Sequence, residues 1–397
     1  MAVVAVLFLA VGCYRSHQRR SGDGGPSDAG LRDGGPLVDA GSDTGPAVCC
    51  STWTHLRRIA IPLFGDHGTV TPRLLLNGGL PSVVVTGPSD AVGPSGAHLV
   101  RLSRDLSEQT PPVAVTTGSF TWGQPVSSGD PTSGELAVCW GTDAGDVVRL
   151  YDASGRPRSD TGVLDALARS PCIDAAFSGG HFAFLYERRN PDGSSFLRAR
   201  LVDAVTLAIG ADVDVPVGTA STAASLAAMD DGFALAVPGT TTVLVTFDTD
   251  GVVRAETRLP PSYRVQVVRS AGTLQLVRAF DYASPSGPED GWALDVVDGT
   301  TLLPLAPERG LVAFPVGTAP SFDSAVDPCG KPILSTSVPS LAVVLPSDIQ
   351  SISLVDPLAI AVGDTSILVL GNDAYTAFSS GEPNPQVQID HWLCGDP

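Results

Sequence analysis

The 397-residue chain holds a single lysine, Lys331. Its 24 basic residues are otherwise arginine, and 42 acidic residues outnumber them for a formal net charge of −18. Nucleic acid and anionic bilayer surfaces both demand stripes of Lys and Arg, so neither is expected as a partner of the body of this protein. Long apolar runs are missing too. The N-terminal run Ala2–Val11 covers ten residues, half of the ~20 that a membrane-crossing helix needs. The short motifs that announce chemistry are absent: there is no G-x-S-x-G, no H-E-x-x-H, no P-loop and no G-x-G-x-x-G. No two cysteines have the C-x-x-C spacing of zinc ligands. No metal or cofactor is therefore expected, and nothing in the sequence assigns a catalytic residue.

Glycine and proline are abundant, at 43 and 33 residues, while 43% of the chain is hydrophobic. Both residues break helix interiors, and many short strands joined by turns use them freely. The composition therefore points to an all-β body with a real core.

The apolar run ends in Ala10-Val11-Gly12-Cys13. This is similar to the lipobox of bacterial lipoproteins, and the run before it has the length of a signal-peptide core. The resemblance implies a signal peptide over residues 1–12, cut before Cys13, whose thiol then carries the lipid. No Lys or Arg precedes the run, which departs from the usual pattern. Tyr14 rather than Asp follows the cysteine, and the resemblance then implies the outer membrane of the cell envelope. Residues 13–47 contain Asp23-Gly24-Gly25-Pro26 and Asp33-Gly34-Gly35-Pro36 and almost no aromatic or β-branched side chains. Such a segment buries too little apolar area to offset its ordering entropy and reads as a flexible tether. The membrane is expected to be reached only through this N-terminal lipid.

Residues 48–397 repeat. The clearest unit, 222–258, has an apolar run at Ala223–Ala228, a turn at Asp230-Asp231-Gly232, strands at Phe233–Val237 and Thr241–Phe247, and a second turn at Asp250-Gly251. An alternating strand, Val252–Arg258, completes it. Second strands of successive units start near Leu80, Glu135, His181, Phe233, Thr273, Pro332 and Ser366, a period of about 48 residues. Four antiparallel strands at this period resemble a β-propeller blade. The expectation is a seven-bladed β-propeller, in which Leu56–Leu63 supplies the missing strand of the last blade. Six or eight blades, or tandem β-sandwiches, are the alternatives. Neither a Trp-Asp signature nor a kelch pattern is present, so no subfamily is implied.

With Cys13 lipidated, Cys49, Cys50, Cys139, Cys172, Cys329 and Cys394 remain, an even number suited to disulfides in an exported protein. Cys139 and Cys172 fall on strands of neighbouring units and are a plausible pair. A bridge from Cys49 or Cys50 to Cys394 would lock the ring shut. The six histidines are scattered singly. His181 follows two glycines at the start of a strand and, with Glu187, is the one weak candidate for a group facing the channel. Asp248-Thr249-Asp250-Gly251 has the look of half a calcium loop, but a hairpin turn is the better reading. Trp140 and Trp292 are read as core rather than as stacking platforms.

Three functions fit this outline. The first is a surface-exposed, non-catalytic binding or scaffold module, monomeric, with a protein or glycan ligand, presenting loops such as Gly87–Ala97 and Ser284–Glu289. The second is a polysaccharide hydrolase or lyase with an opposed carboxylate pair in the channel. The third is an outer-membrane assembly scaffold. That one resembles the propeller lipoprotein of the barrel-insertion machinery, whose eight blades and tryptophan-bearing repeat are not found here.

Overall fold

The computed structural model describes residues 52–62, 71–87, 96–116, 122–143, 145–166, 172–189, 192, 194–215, 223–284, 287–315, 322–336, 342–343, 353–354, 361–380 and 386–395. The expected signal peptide, Cys13, the tether, Cys49 and Cys50 lie outside them. Every regular element among the described residues is a β-strand.

The strands form a β-propeller of four-stranded antiparallel blades. After β1 (Thr52–Pro62), the first blade is β2 (Thr71–Asn77), β3 (Leu80–Gly87), β4 (Gly96–Arg101) and β5 (Val113–Ala114). The second is β6 (Trp122–Gly129), β7 (Leu136–Thr142), β8 (Gly145–Tyr151) and β9 (Gly162–Asp165). The third is β10 (Cys172–Ser178), β11 (His181–Arg189), β12 (Ser195–Asp203) and β13 (Ile209–Asp214). The fourth is β14 (Ser225–Met229), β15 (Gly232–Val237), β16 (Thr242–Asp248) and β17 (Val253–Leu259). The fifth is β18 (Arg264–Ser270), β19 (Thr273–Ser284), β20 (Gly287–Asp298) and β21 (Arg309–Pro315). Two short pairs follow: β22 (Phe322–Val326) with β23 (Pro332–Thr336), and β24 (Ala342–Val343) with β25 (Ser353–Leu354). The closing blade is β26 (Ala361–Leu370), β27 (Asp373–Ser380) and β28 (Gln386–Gly395), with β1 as its outermost strand.

The expected closure by an N-terminal strand is thus present, with Ile59 opposite Ile389 and Ile61 opposite Val387. It joins the two ends of the described chain, so the ring cannot open without unzipping a long antiparallel ladder.

The blade count needs correction. Six four-stranded blades are described, where seven were expected. The unit expected over 321–355 holds the two-stranded sheets instead, with β22 packed between β18 and β26. In the last unit, Ser366 lies on the innermost strand rather than the second, because the hairpin turn falls later, at Gly371-Asn372.

Among the described residues the core is divided rather than single. Apolar side chains cluster at each seam between neighbouring sheets, as with Leu201, Val213, Leu226 and Phe233 between the third and fourth blades. A second strand is sandwiched on both faces, so β15 is buried at all six positions and reads as a continuous apolar run, Gly-Phe-Ala-Leu-Ala-Val. The outermost β17 faces solvent and alternates. Trp140 and Trp292 are buried at seams, as expected of core residues.

The turns are built on aspartate, which accepts hydrogen bonds from main-chain N–H groups two to four residues on. Asp203 takes those of Val205 and Thr206, and Asp298 those of Thr300 and Thr301. Asp248 takes those of Asp250 and Val252, which makes its segment a hairpin turn. At Gly232 (φ +157°) a Cβ would lie 2.2 Å from the Phe247 carbonyl oxygen, so only glycine lets β15 and β16 meet there.

Candidate functional site

The innermost strands surround a central channel made of two chambers along its axis. The upper one, where the innermost strands begin, encloses about 360 Å³, and the lower one about 380 Å³. Four residues line both: Arg73 on β2, Asp174 on β10, Gln266 on β18 and Asp323 on β22. They form a polar belt across the channel, and each comes from a different sheet.

The belt follows one geometric rule. A side chain on one innermost strand accepts a hydrogen bond from a main-chain N–H of the next. Leu226 N–H donates to Asp174 Oδ2 at 2.7 Å, and Val267 N–H donates to Ser225 Oγ at 3.2 Å. Ile367 N–H donates to Asp323 Oδ2 at 3.0 Å, and Leu74 N–H donates to Ser366 Oγ at 3.0 Å. Ser225 Oγ–H also donates to Gln266 Oε1 at 2.9 Å. Innermost strands of neighbouring blades are not paired in a common sheet. Buried N–H groups facing the axis therefore need these side-chain acceptors.

Two carboxylates stand in the belt. Asp174 also accepts from Ala175 N–H at 2.9 Å and forms a close ion pair with Arg73. Asp323 also accepts from Ser324 N–H at 2.9 Å. Burial pushes the Asp323 carboxyl above the usual carboxylate range. The Arg73 charge opposes that shift, and the negative charge of Asp174 adds to it. On the upper wall Arg264 lies over the Phe322 ring at 5.5 Å and donates to the Phe322 carbonyl at 3.2 Å.

The residues proposed from sequence lie elsewhere. His181 sits at the hairpin end of β11, partly exposed, with Nδ1 3.0 Å from the Gly179 carbonyl and Nε2 3.8 Å from Asp203. Glu187 is buried on the same strand, opposite Leu197. Six residues of strand separate the two, about 20 Å, and neither lines either chamber. They belong to a second strand, which is walled off from the axis by the innermost one. Tyr186, next to Glu187 on the strand, donates to Asp212 at 2.8 Å. Among the described residues no group of three or more His, Cys, Asp or Glu is placed to hold a metal ion.

The expected Cys139–Cys172 disulfide is present and ties β7 of the second blade to β10 of the third. Cys329 and Cys394 are disulfide-bonded as well.

The belt residues were missed in the sequence because each is one polar side chain within a short strand. Their signal is faint but real: Arg73-Leu74, Asp174-Ala175, Ser225-Leu226, Gln266-Val267, Asp323-Ser324 and Ser366-Ile367 each place a polar residue at the same register of an innermost strand.

The architecture and channel define a β-propeller with a polar belt across its axis. No protein-family model and no curated protein matches the chain.

Proposed function

We propose that this protein is a lipid-anchored β-propeller of the cell envelope that works as a non-catalytic binding or scaffold module. The observation that carries this reading is the commitment of both channel carboxylates. Asp174 and Asp323 accept main-chain N–H groups of the neighbouring innermost strands, so their oxygens serve to hold the ring. A hydrolytic pair needs oxygens free to reach a substrate. The anchor rests on Cys13 and the apolar run before it, and the outer membrane is the expected location. The chain is taken as a monomer, with a protein or glycan ligand.

We also infer that β22–β25 make a seventh, shortened blade. Its first strand stands between β18 and β26 as the other innermost strands stand between their neighbours. Asp323 on it takes part in the same inter-blade rule.

One observation favours a second reading, a polysaccharide hydrolase or lyase. Asp323 is shifted upward beside a second carboxylate, which is how an acid and its partner are set apart in glycoside hydrolysis. Incubation of the purified protein with envelope and extracellular polysaccharides, followed by assay for new reducing ends and unsaturated products, separates the two. The binding-module reading expects neither product. Turnover that disappears in Asp323→Asn would replace it with the hydrolase or lyase.

A further inference from the structure

The seam between the second and third blades holds a carboxyl group that the channel does not use. Asp146, at the start of β8, is 0% exposed, and neither of its oxygens has a hydrogen-bond partner. Its cross-strand neighbour on β9 is Asp165, itself 7% exposed. Side chains of directly opposed residues on one face lie ~5 Å apart at Cβ, and like charges there repel. Gly145, just before, has φ +113°, and a Cβ on it would lie 2.1 Å from the Asp165 carbonyl oxygen. The two chain segments are therefore pressed together at this point.

Arg188 reaches Asp165, and the other charged groups around the pair are engaged elsewhere. From β11, Arg188 stands 3.7 Å from Asp165 and 3.6 Å from Asp212. Arg200 on β12 bonds Asp212 on β13 and the Leu164 carbonyl. Arg198 on β12 lies over the Phe196 ring at 4.6 Å and beside Asp212. Arg149 on β8 faces Tyr151, Glu187 on β11 sits one position from Tyr186 and Arg188, and Asp143 in the preceding turn is exposed. Among the described residues, Asp165 is the one charged group that acts on Asp146. A fully buried carboxylate with no donor, facing a second carboxylate, is the arrangement a proton relieves most directly.

We propose that Asp146 holds a proton at neutral pH against the facing Asp165, which makes the β8–β9 pair a proton-binding site at the upper end of this seam. The proton removes the buried charge of Asp146 and its repulsion with Asp165, and passes to solvent as the pH rises. Burial, then the charge of Asp165, raises the Asp146 value to about 8 from an ordinary 3.8. The folded state thus holds a proton that the unfolded chain releases near pH 4. Stability from the pair is fully present below about pH 4, is lost between about pH 4 and about pH 8, and is flat above that.

The test is equilibrium urea unfolding of the full chain and of Asp146→Asn from pH 4 to pH 10, followed by tryptophan fluorescence. The wild-type unfolding constant relative to the variant should rise about tenfold per pH unit up to about pH 8 and then level off. Parallel pH profiles would overturn the proposal. So would calcium chloride stabilising the wild type at pH 7 but not the variant, since a cation would then occupy the pair. If the variant does not fold, carboxyl-carbon NMR of the wild type decides. One aspartate titrating near pH 8 supports the proposal, and all aspartates titrating below pH 5 overturns it.

Discussion

Two seams of this ring are closed by different physics. Between the second and third blades the sheets are joined by the Cys139–Cys172 disulfide and by charged contacts, Arg188 to Asp165 and Arg200 to the Leu164 carbonyl. Between the fifth blade and β22 the joint is aromatic. Trp292 packs on Phe322 with ring centroids 5.0 Å apart, and the Arg264 guanidinium lies over the same Phe322 ring at 5.5 Å. The wedge between two blades needs filling and fastening. A covalent bond with ion pairs does this at one place, and buried aromatic area does it at the other. The aromatic seam lies beside the shortest sheets of the ring, where few strands share the load.

This contrast can be broken in graded steps, each read by urea unfolding of the full chain. Trp292→Ala should cost most, about 3–5 kcal/mol, because it empties a fully buried site. A loss below about 1 kcal/mol would mean that the aromatic seam does not hold the ring. Removing the disulfide with Cys139→Ala and Cys172→Ala together should cost about 3–4 kcal/mol, the loop-closure value for a 33-residue separation. Asp174→Asn removes the carboxylate charge from the ion pair with Arg73 and should cost about 1–3 kcal/mol. It should also leave both seams intact, as seen in unchanged near-ultraviolet dichroism of their aromatic residues. Tyr186→Phe removes one hydrogen bond to Asp212 at the polar seam, for about 1 kcal/mol. Arg254→Ala breaks a solvent-exposed pair with Asp231 and should change nothing measurable. A sixth measurement concerns the anchor: labelled fatty acid should enter the wild-type protein in a bacterial host and fail to enter Cys13→Ala.

Much of the ring was legible before any coordinates. The turn at Asp230-Asp231-Gly232 and the run Phe233–Val237 placed β15 to within one residue, because a strand buried on both faces leaves an unbroken apolar stretch. The use of residues near Leu56–Leu63 to close the last blade was legible from the strand left over. The Cys139–Cys172 pair was legible because both fall on strands of adjacent units. The last units were read less well. Two-residue strands such as β24 carry no periodicity, and β26 is apolar enough to pass for a second strand. His181 and Glu187 lie on a second strand and line neither chamber, and a strand's sequence does not state how many strands lie between it and the axis.

What the sequence by itself determined is local: all-β character, the period of the repeat, the turns built on Asp and Gly, and which strand of a unit is buried on both faces. These follow from side-chain alternation and backbone preferences within about ten residues. The tertiary structure alone decided the channel. Arg73, Asp174, Gln266 and Asp323 come together from sheets as much as 250 residues apart in the chain. The ring geometry brings one position of each innermost strand to the axis, and main-chain N–H groups left without a sheet partner there require side-chain acceptors. The meeting of Asp146 and Asp165 was decided in the same way, since only the register of β8 on β9 puts two carboxyl groups face to face.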